Sequence, residues 1–302
     1  MDLYFLGTGG GVPSNERNVT SIALRMPERG AIWLFDCGEA TQQQILKTPL
    51  KLSKIEKIFV THTHGDHIYG LPGLLASRSF QEDESEVTVY GPKGVRRFIE
   101  TAFSVSGTYL RYPLSIVEVH EGVVFEDDSL TVEAAQLEHV IPSFGYRIVE
   151  KDRPGALDAE RLKAEGLPPG PLYKRLKNGE TVTTEDGQVF HGPDYVGPLK
   201  RGKKAAILGD TRPCRAIDKL ADQVDVLVHE ATFMEADAER AHRYFHSTTV
   251  DAAKKARAAS SGALIMTHVS SRYKGMEEAF VQEAREIFPA SHLAEDFWSF
   301  PV

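Results

Sequence analysis

A chain of 302 residues with 35 Lys+Arg against 43 Asp+Glu carries a formal net charge of −8, and its 41 % hydrophobic and 26 % charged residues exclude a disordered or fibrous polymer. At this length folding buries roughly three quarters of the surface of the unfolded chain, so no disulfide staple is needed. The two cysteines, Cys37 and Cys214, fit a reducing compartment such as the cytoplasm, and the acidic total argues at first against a nucleic-acid partner.

The N-terminus, Met1-Asp2-Leu3-Tyr4-Phe5-Leu6, lacks the basic start and long apolar run of a secretory leader, and no apolar run approaches the ~20 residues that span a bilayer, so no membrane role is expected. Short apolar runs bounded by turn residues predict strands at Asp2–Leu6, Val19–Met26, Ala31–Phe35 and Lys57–Thr61, with a helix at Glu39–Leu46. Helices follow at Leu71–Phe80 and Gly94–Phe103, and strands at Val87–Tyr90, Ser115–Val119 and Leu130–Leu137. Late in the chain come strands at Ala205–Leu208, Val224–Val228 and Ala263–Met266, and helices at Val250–Ala259 and Met276–Ile287. Strands interleaved with helices in both halves predict an α/β fold of layered sheet and helix. The segment 151–197 departs from this rhythm. It is rich in Pro and Gly around Leu167-Pro168-Pro169-Gly170-Pro171, contains one helical piece at Leu157–Glu165, and reads as an insertion or projecting arm, since so long a connection needs a function or structure of its own.

The strongest chemical signal is Thr61-His62-Thr63-His64-Gly65-Asp66-His67, directly after an apolar strand. Side chains two apart at an extended strand end point the same way, so His62 and His64 can reach one ion. Gly65 lets the chain turn so that Asp66 and His67 face a neighbouring position. Imidazole and carboxylate are good zinc ligands. Three more ligand-type residues stand at the ends of apolar strands: His139, Asp210 and His268. Seven ligands are one too many for two three-coordinate ions unless one bridges, and only a carboxylate has two oxygens to share, which points to Asp210 and a binuclear site. His120, His191, His242 and His292 have no ligand-like setting and read as solvated.

This pattern resembles the metallo-β-lactamase fold superfamily. With Gly7-Thr8-Gly9-Gly10-Gly11-Val12-Pro13-Ser14, Phe35-Asp36-Cys37-Gly38-Glu39-Ala40-Thr41, His229-Glu230-Ala231-Thr232, His246-Ser247-Thr248 and Thr267-His268, it is similar to the short form of the ribonuclease Z family, from about residue 3 to residue 273. The resemblance implies an αβ/βα sandwich over 1–302, two central mixed sheets flanked by helices, with 151–197 a protruding flexible arm for tRNA. It implies His62, His64 and His139 on one zinc, Asp66, His67 and His268 on the other, and Asp210 bridging, two zinc ions per subunit. Asp66 would accept a proton from the attacking water. Glu230 and His246 would help protonate the leaving oxygen, while His229 reads as structural. The implied activity is endonucleolytic removal of the 3′ trailer from precursor tRNA after the discriminator base, leaving a tRNA 3′-hydroxyl and a trailer 5′-phosphate. The implied assembly is a homodimer in which the arm of one subunit clamps tRNA held by the other.

The family's Pro-x-Lys-x-Arg-Asn loop reads Pro13-Ser14-Asn15-Glu16-Arg17-Asn18 here. Arg17 keeps the match and is an RNA-binding candidate. Asn15 and Glu16 depart from it, which bears on RNA already ending in CCA rather than on metal chemistry. Between Lys151 and Lys177, seven basic and four acidic residues leave a local charge of +3, with Lys174, Arg175 and Lys177 the further RNA-binding candidates. The acidic total is thus a whole-chain average that does not exclude RNA. A general zinc phosphodiesterase or an arylsulfatase-like hydrolase is the alternative use of the same ligands.

Overall fold

The structure is a computed structural model that describes residues 1–81 and 83–302. Six strands come first: β1 (Asp2–Gly7), β2 (Ser21–Met26), β3 (Ala31–Phe35), β4 (Ile55–Phe59), β5 (Val87–Gly91) and β6 (Leu114–Glu118). Then follow β7 (Gly122–Glu126), β8 (Leu130–Leu137) and β9 (Ser143–Glu150). The inserted segment holds β10 (Thr181–Thr183) and β11 (Val189–His191). The chain continues with β12 (Lys204–Leu208), β13 (Val226–Glu230), β14 (Ala263–Thr267), β15 (Ser291–Leu293) and β16 (Ser299–Pro301).

These strands form two seven-stranded sheets, in the orders β16-β1-β2-β3-β4-β5-β6 and β15-β14-β13-β12-β9-β8-β7. Both are mixed. β3 to β6 run parallel, as do β12 to β15, while β1–β2, β2–β3 and β9–β12 pair antiparallel. Every residue of β3, β13 and β14 is buried, as expected of strands covered on both faces. One buried cluster lies between the sheets and joins Phe5, Trp33 and Phe59 to Tyr146, Ile207 and Val228. A second packs the other face of the first sheet with Leu71, Leu74 and Ile99, and a third packs the second sheet with Leu220, Ala253 and Phe280. The order helix–sheet–sheet–helix follows, and burying each Leu or Phe contributes about 1.5–3 kcal/mol.

The centre of the sandwich is aromatic. Phe59 stacks between Phe35 (5.1 Å) and Tyr90 (4.8 Å), with Tyr146 from the second sheet 5.2 Å away. The Tyr146 hydroxyl donates to the Val60 carbonyl at 2.6 Å, anchoring the start of the histidine loop to the opposite sheet.

Several expected boundaries move. The strand read at Lys57–Thr61 ends at Phe59, because the Thr61 N–H donates to the Asp36 carboxylate (2.7 Å) rather than to a ladder. The strand read at Val224–Val228 runs Val226–Glu230 and delivers Glu230 at its end. The helix read at Glu39–Leu46 is shortened to Thr41–Ile45, Ala40 being left-handed at φ 61°. Strands β7, β9, β15 and β16, and helices at Arg215–Ala221 and Ala238–Arg243, were not expected.

The chain divides into two compact units, one of residues 1–149 with 204–302 and one of residues 150–203. The second is not a bare loop. It holds helices Ala159–Ala164 and Pro171–Lys177, the antiparallel pair β10–β11, and a core of Leu162, Leu167, Leu176, Val182, Phe190 and Tyr195. Leu176 is the buried residue of its helix, which leaves Lys174, Arg175 and Lys177 exposed.

Candidate metal centre

Asp36, the histidine loop, His139, Asp210, Glu230 and His268 all stand at or just beyond the C-terminal ends of β3, β4, β8, β12, β13 and β14. Such strand ends are where α/β sheets gather their sites. Gly209 permits the close approach of the sheets here, since a Cβ on it would lie 2.6 Å from Thr61 Cβ.

Ligand-type atoms gather in two groups with no shared member, His62, His64, His139 and Asp210, and Asp66, His67 and His268, and in a third, Asp210, His246 and His268, that overlaps both, the atoms of each within 4.8 Å of one another. Asp210 Oδ2 lies 3.2 Å from His268 Nε2, 3.6 Å from His67 Nε2 and 3.7 Å from His62 Nε2, so this single carboxylate faces both groups. All seven expected ligands are therefore brought together.

The surrounding hydrogen bonds assign the tautomers. Asp36 accepts from Thr61 Oγ1 (2.8 Å) and from His67 Nδ1 (2.7 Å). Thr61, its hydroxyl proton given to Asp36, accepts from His62 Nδ1 at 3.0 Å. The Phe245 carbonyl accepts from His139 Nδ1 at 3.0 Å. Thr232 donates to Glu230 Oε2 (2.8 Å) and accepts from His268 Nδ1 (2.9 Å). In all four rings Nδ1 carries the proton, and Nε2 turns a lone pair inward.

Those lone pairs have no proton to share. His62 Nε2 and His139 Nε2 lie 3.0 and 3.3 Å from His64 Nδ1, three nitrogens around one point. His67 Nε2 is buried without a hydrogen-bond partner, with Asp66 Oδ2 3.5 Å away. Converging lone pairs of neutral imidazoles repel unless a cation lies among them, so this donor set fits metal ions. Burial pushes His62, His64 and His139 below the usual histidine range, favouring the neutral, ligating form. Burial opposes the charge of Asp210, but His268, His67 and His62 overcome it and hold its carboxyl well below the carboxylate range. Asp66 is likewise held low against burial by His268 and His67. Asp36 and His268 are left-handed at φ 60° and 59°, a cost of order 1 kcal/mol each that surrounding bonds enforce.

Beside the ligands lies a second arrangement. Glu230 is buried and accepts from the N–H groups of Thr211 (3.1 Å), Thr232 (3.0 Å) and Ser247 (3.0 Å) and from His246 Nδ1 (3.0 Å). Burial works against protonated His246, but Glu230 more than offsets it and raises the imidazole to about 9. A histidine so held is an acid at neutral pH. His229, on the same strand, is fully buried, bonds the Glu230 carbonyl through Nδ1 (2.6 Å) and belongs to neither group.

Asp36, Thr61 and Thr232 carry no role in the sequence reading above. A buried aspartate closing an all-apolar strand is the signal for Asp36, while the threonines have none until the fold sets them beside imidazoles. Arg17 is turned inward, donating to Thr8 Oγ1 (2.7 Å) and the Ala294 carbonyl (2.5 Å), while Glu16 pairs with Lys274 (2.5 Å). His292, read as solvated, packs half-buried on Phe300 at 5.3 Å because the unexpected β15 and β16 bring the rings together. His120, His191 and His242 are exposed, and His242 pairs with Asp251 at 2.7 Å.

Comparison with known proteins decides the family. The chain is 57 % identical over 304 residues to Ribonuclease Z of Bacillus licheniformis, with 100 % of this chain and 99 % of that protein covered. The chain belongs to the ribonuclease Z family. Among solved structures it is similar to the short form of human tRNase Z, 31 % identical with a TM-score of 0.73, covering 100 % of this chain and 99 % of that one. The metallo-β-lactamase fold protein YhfI of Bacillus subtilis, at 14 % identity, TM-score 0.69 and coverage of 99 % and 98 %, shares the fold. The family model described as Anti-Pycsar protein Apyc1 matches residues 1–152, which include the histidine loop. The fold is thus the expected metallo-β-lactamase one, with an α/β sandwich of two mixed sheets. No helix among the described residues is long and apolar enough to cross a membrane.

Proposed function

We propose that this ribonuclease Z family member is a zinc-dependent endoribonuclease that removes the 3′ trailer from precursor tRNA, cutting after the discriminator base to leave a tRNA 3′-hydroxyl and a trailer 5′-phosphate. The observation that carries this reading is the pairing of a seven-residue cation site with a buried Glu230–His246 acid in a chain matched end to end by its ribonuclease Z relatives. His62, His64 and His139 would hold one zinc and Asp66, His67 and His268 the other, with Asp210 shared. Bound zinc supplies Lewis-acid polarisation of the phosphoryl oxygens and lowers the pKa of water toward about 7.

The chain's own groups divide the remaining work. Asp66 Oδ2 is fixed by the Gly11 N–H (2.9 Å), which would orient the carboxylate to take the proton of the attacking water. His246, with Nδ1–H committed to Glu230, offers its Nε2 proton to the departing ribose 3′-oxygen. Asp36 orients His67. In Asp36→Asn one side-chain oxygen becomes a donor facing groups that need acceptors, and a 10- to 100-fold loss of metal affinity is expected in chelator competition.

The exposed Lys174, Arg175 and Lys177, of which Arg175 also pairs with Glu180 at 2.8 Å, would meet tRNA phosphates. Arg17 supports this role indirectly, by bracing the loop 13–18 from beneath. A homodimer is what the family resemblance implies, and its test is sedimentation of the purified chain. The reducing cytoplasm suits the two free cysteines, Cys37 being buried with its thiol raised to about 12 and hence inert.

The decisive experiment is metal analysis with one cleavage assay: zinc near two per chain and a single cut in a precursor tRNA with a 3′ trailer. Hydrolysis of bis(p-nitrophenyl) phosphate without that cut would favour a general phosphodiesterase. The pH profile tests the acid. Glu230 raises His246, so its proton is present at neutral pH and lost as pH rises through at most about 9, nearby cations pulling that value down. His246→Ala is expected to lose that alkaline limb and about 10²–10⁴ in tRNA cleavage, with little change on p-nitrophenyl esters, whose leaving group needs no proton.

A further inference from the structure

Beside Asp66 opens a cleft of about 460 Å³ whose walls include Tyr69, Val12, Pro13, Glu39 and His64. It differs from the rest of the site in being flanked by apolar faces. Tyr69 is 63 % and Val12 60 % exposed, high values for large apolar groups with no role in the core. The Tyr69 ring lies back over the histidine loop. A Cβ on Gly65 would stand 2.2 Å from its Cε2, so the glycine both turns the loop and makes room for the ring. Phe98 supports the ring with a centroid distance of 6.2 Å. The loop bearing Val12 is held by the Gly11 N–H on Asp66 Oδ2 at 2.9 Å, the same carboxylate assigned to the attacking water. The acidic rim at Glu39 disfavours a phosphate there and leaves a flat, uncharged base as the fitting occupant.

We infer that Tyr69 is the stacking platform for the base of the first trailer nucleotide and holds the trailer in the site. This rests on the ribonuclease reading above. The direction follows from the two ends of the site. Neither Glu230 nor His246, the pair beside the departing tRNA 3′-oxygen, lines this cleft, whereas Asp66, on the side of the attacking water, does. The departing 3′-oxygen, and the tRNA with it, thus lies on the Glu230–His246 side, which leaves the cleft beside Tyr69 to the trailer nucleotide. Every base has a π face, so the subsite accepts any trailer base.

The test compares the full-length enzyme with Tyr69→Phe, Tyr69→Leu and Tyr69→Ala on three precursor tRNAs: unmodified, abasic at the first trailer nucleotide, and abasic at the discriminator. On unmodified RNA, Tyr69→Ala and Tyr69→Leu are expected to raise KM about tenfold or more with kcat nearly unchanged, while Tyr69→Phe matches the parent. On RNA abasic at the first trailer nucleotide the parent enzyme should already show that loss, and the variants should add nothing to it. Metal content and thermal midpoint report folding, and Tyr69→Leu keeps bulk over Gly65 if Tyr69→Ala unfolds. An undiminished Tyr69 penalty on that abasic RNA, no penalty on unmodified RNA, or a penalty that vanishes only on discriminator-abasic RNA would overturn the inference while leaving the ribonuclease reading intact. A parent enzyme that fails to cut unmodified precursor would sink both.

Discussion

Asp210→Ala is expected to strip the site of metal and reduce precursor-tRNA cleavage about a thousandfold or more, since each tenfold corresponds to 1.36 kcal/mol and metal stabilisation of the transition state is worth several. The reason is position. Its Oδ2 faces His62, His67 and His268 within 3.7 Å, so one substitution removes the oxygen turned toward both groups. The paired measurements are metal content and cleavage rate. A variant that kept near-normal metal and full activity would end the shared-ligand reading. Asp210→Asn, similar in shape and uncharged, should fall between the two, separating charge from packing.

Removing residues 154–199 and rejoining Arg153 to Lys200 through a short turn is expected to depress tRNA cleavage about a thousandfold while changing bis(p-nitrophenyl) phosphate hydrolysis little. Within this unit Arg153 and Lys200 exchange backbone hydrogen bonds of 3.0 and 2.9 Å, so the cut falls where the two strands of chain already meet. The removed segment encloses its own core, and its loss leaves no apolar residue of that core behind. Its exposed Lys174, Arg175 and Lys177 would each forfeit a charged hydrogen bond of about 1.5–3 kcal/mol to phosphate. The milder variant Lys174→Ala/Lys177→Ala should lower the salt dependence of tRNA affinity by about one to two units of slope. Equal loss on both substrates after deletion would count against this unit as an RNA grip.

The contrast between strands read well and strands missed has a physical basis. β3 is bounded as read because Ala31–Phe35 is uniformly apolar between a Pro-Gly turn and Asp36. β9 carries the alternation of a strand, Phe144, Tyr146 and Ile148 between Ser143, Gly145 and Arg147, but it leads straight into the inserted unit, and its pairing with β12 across that unit is a non-local fact. The arm read as Pro- and Gly-rich concealed the helix Pro171–Lys177, whose single buried residue, Leu176, is too little amphipathicity to stand out over seven positions.

The histidine loop, the three distant ligand-type residues at strand ends, the demand for a shared carboxylate and the family resemblance are all legible in the linear chain, because ligand chemistry follows from residue type and short spacing. What only the tertiary structure decides is which nitrogen of each ring carries the proton. That depends on Asp36, Thr61, Thr232 and the Phe245 carbonyl, residues up to 106 positions from the rings they orient. A hydrogen-bond partner leaves no periodic trace in sequence, and most of these exist only once neighbouring strand ends and loops have been brought side by side. The pairing of β1, β2 and β4 in one sheet likewise sets the loops of Val12 and Tyr69 on the walls of one cleft, where either residue alone would read as an ordinary exposed side chain.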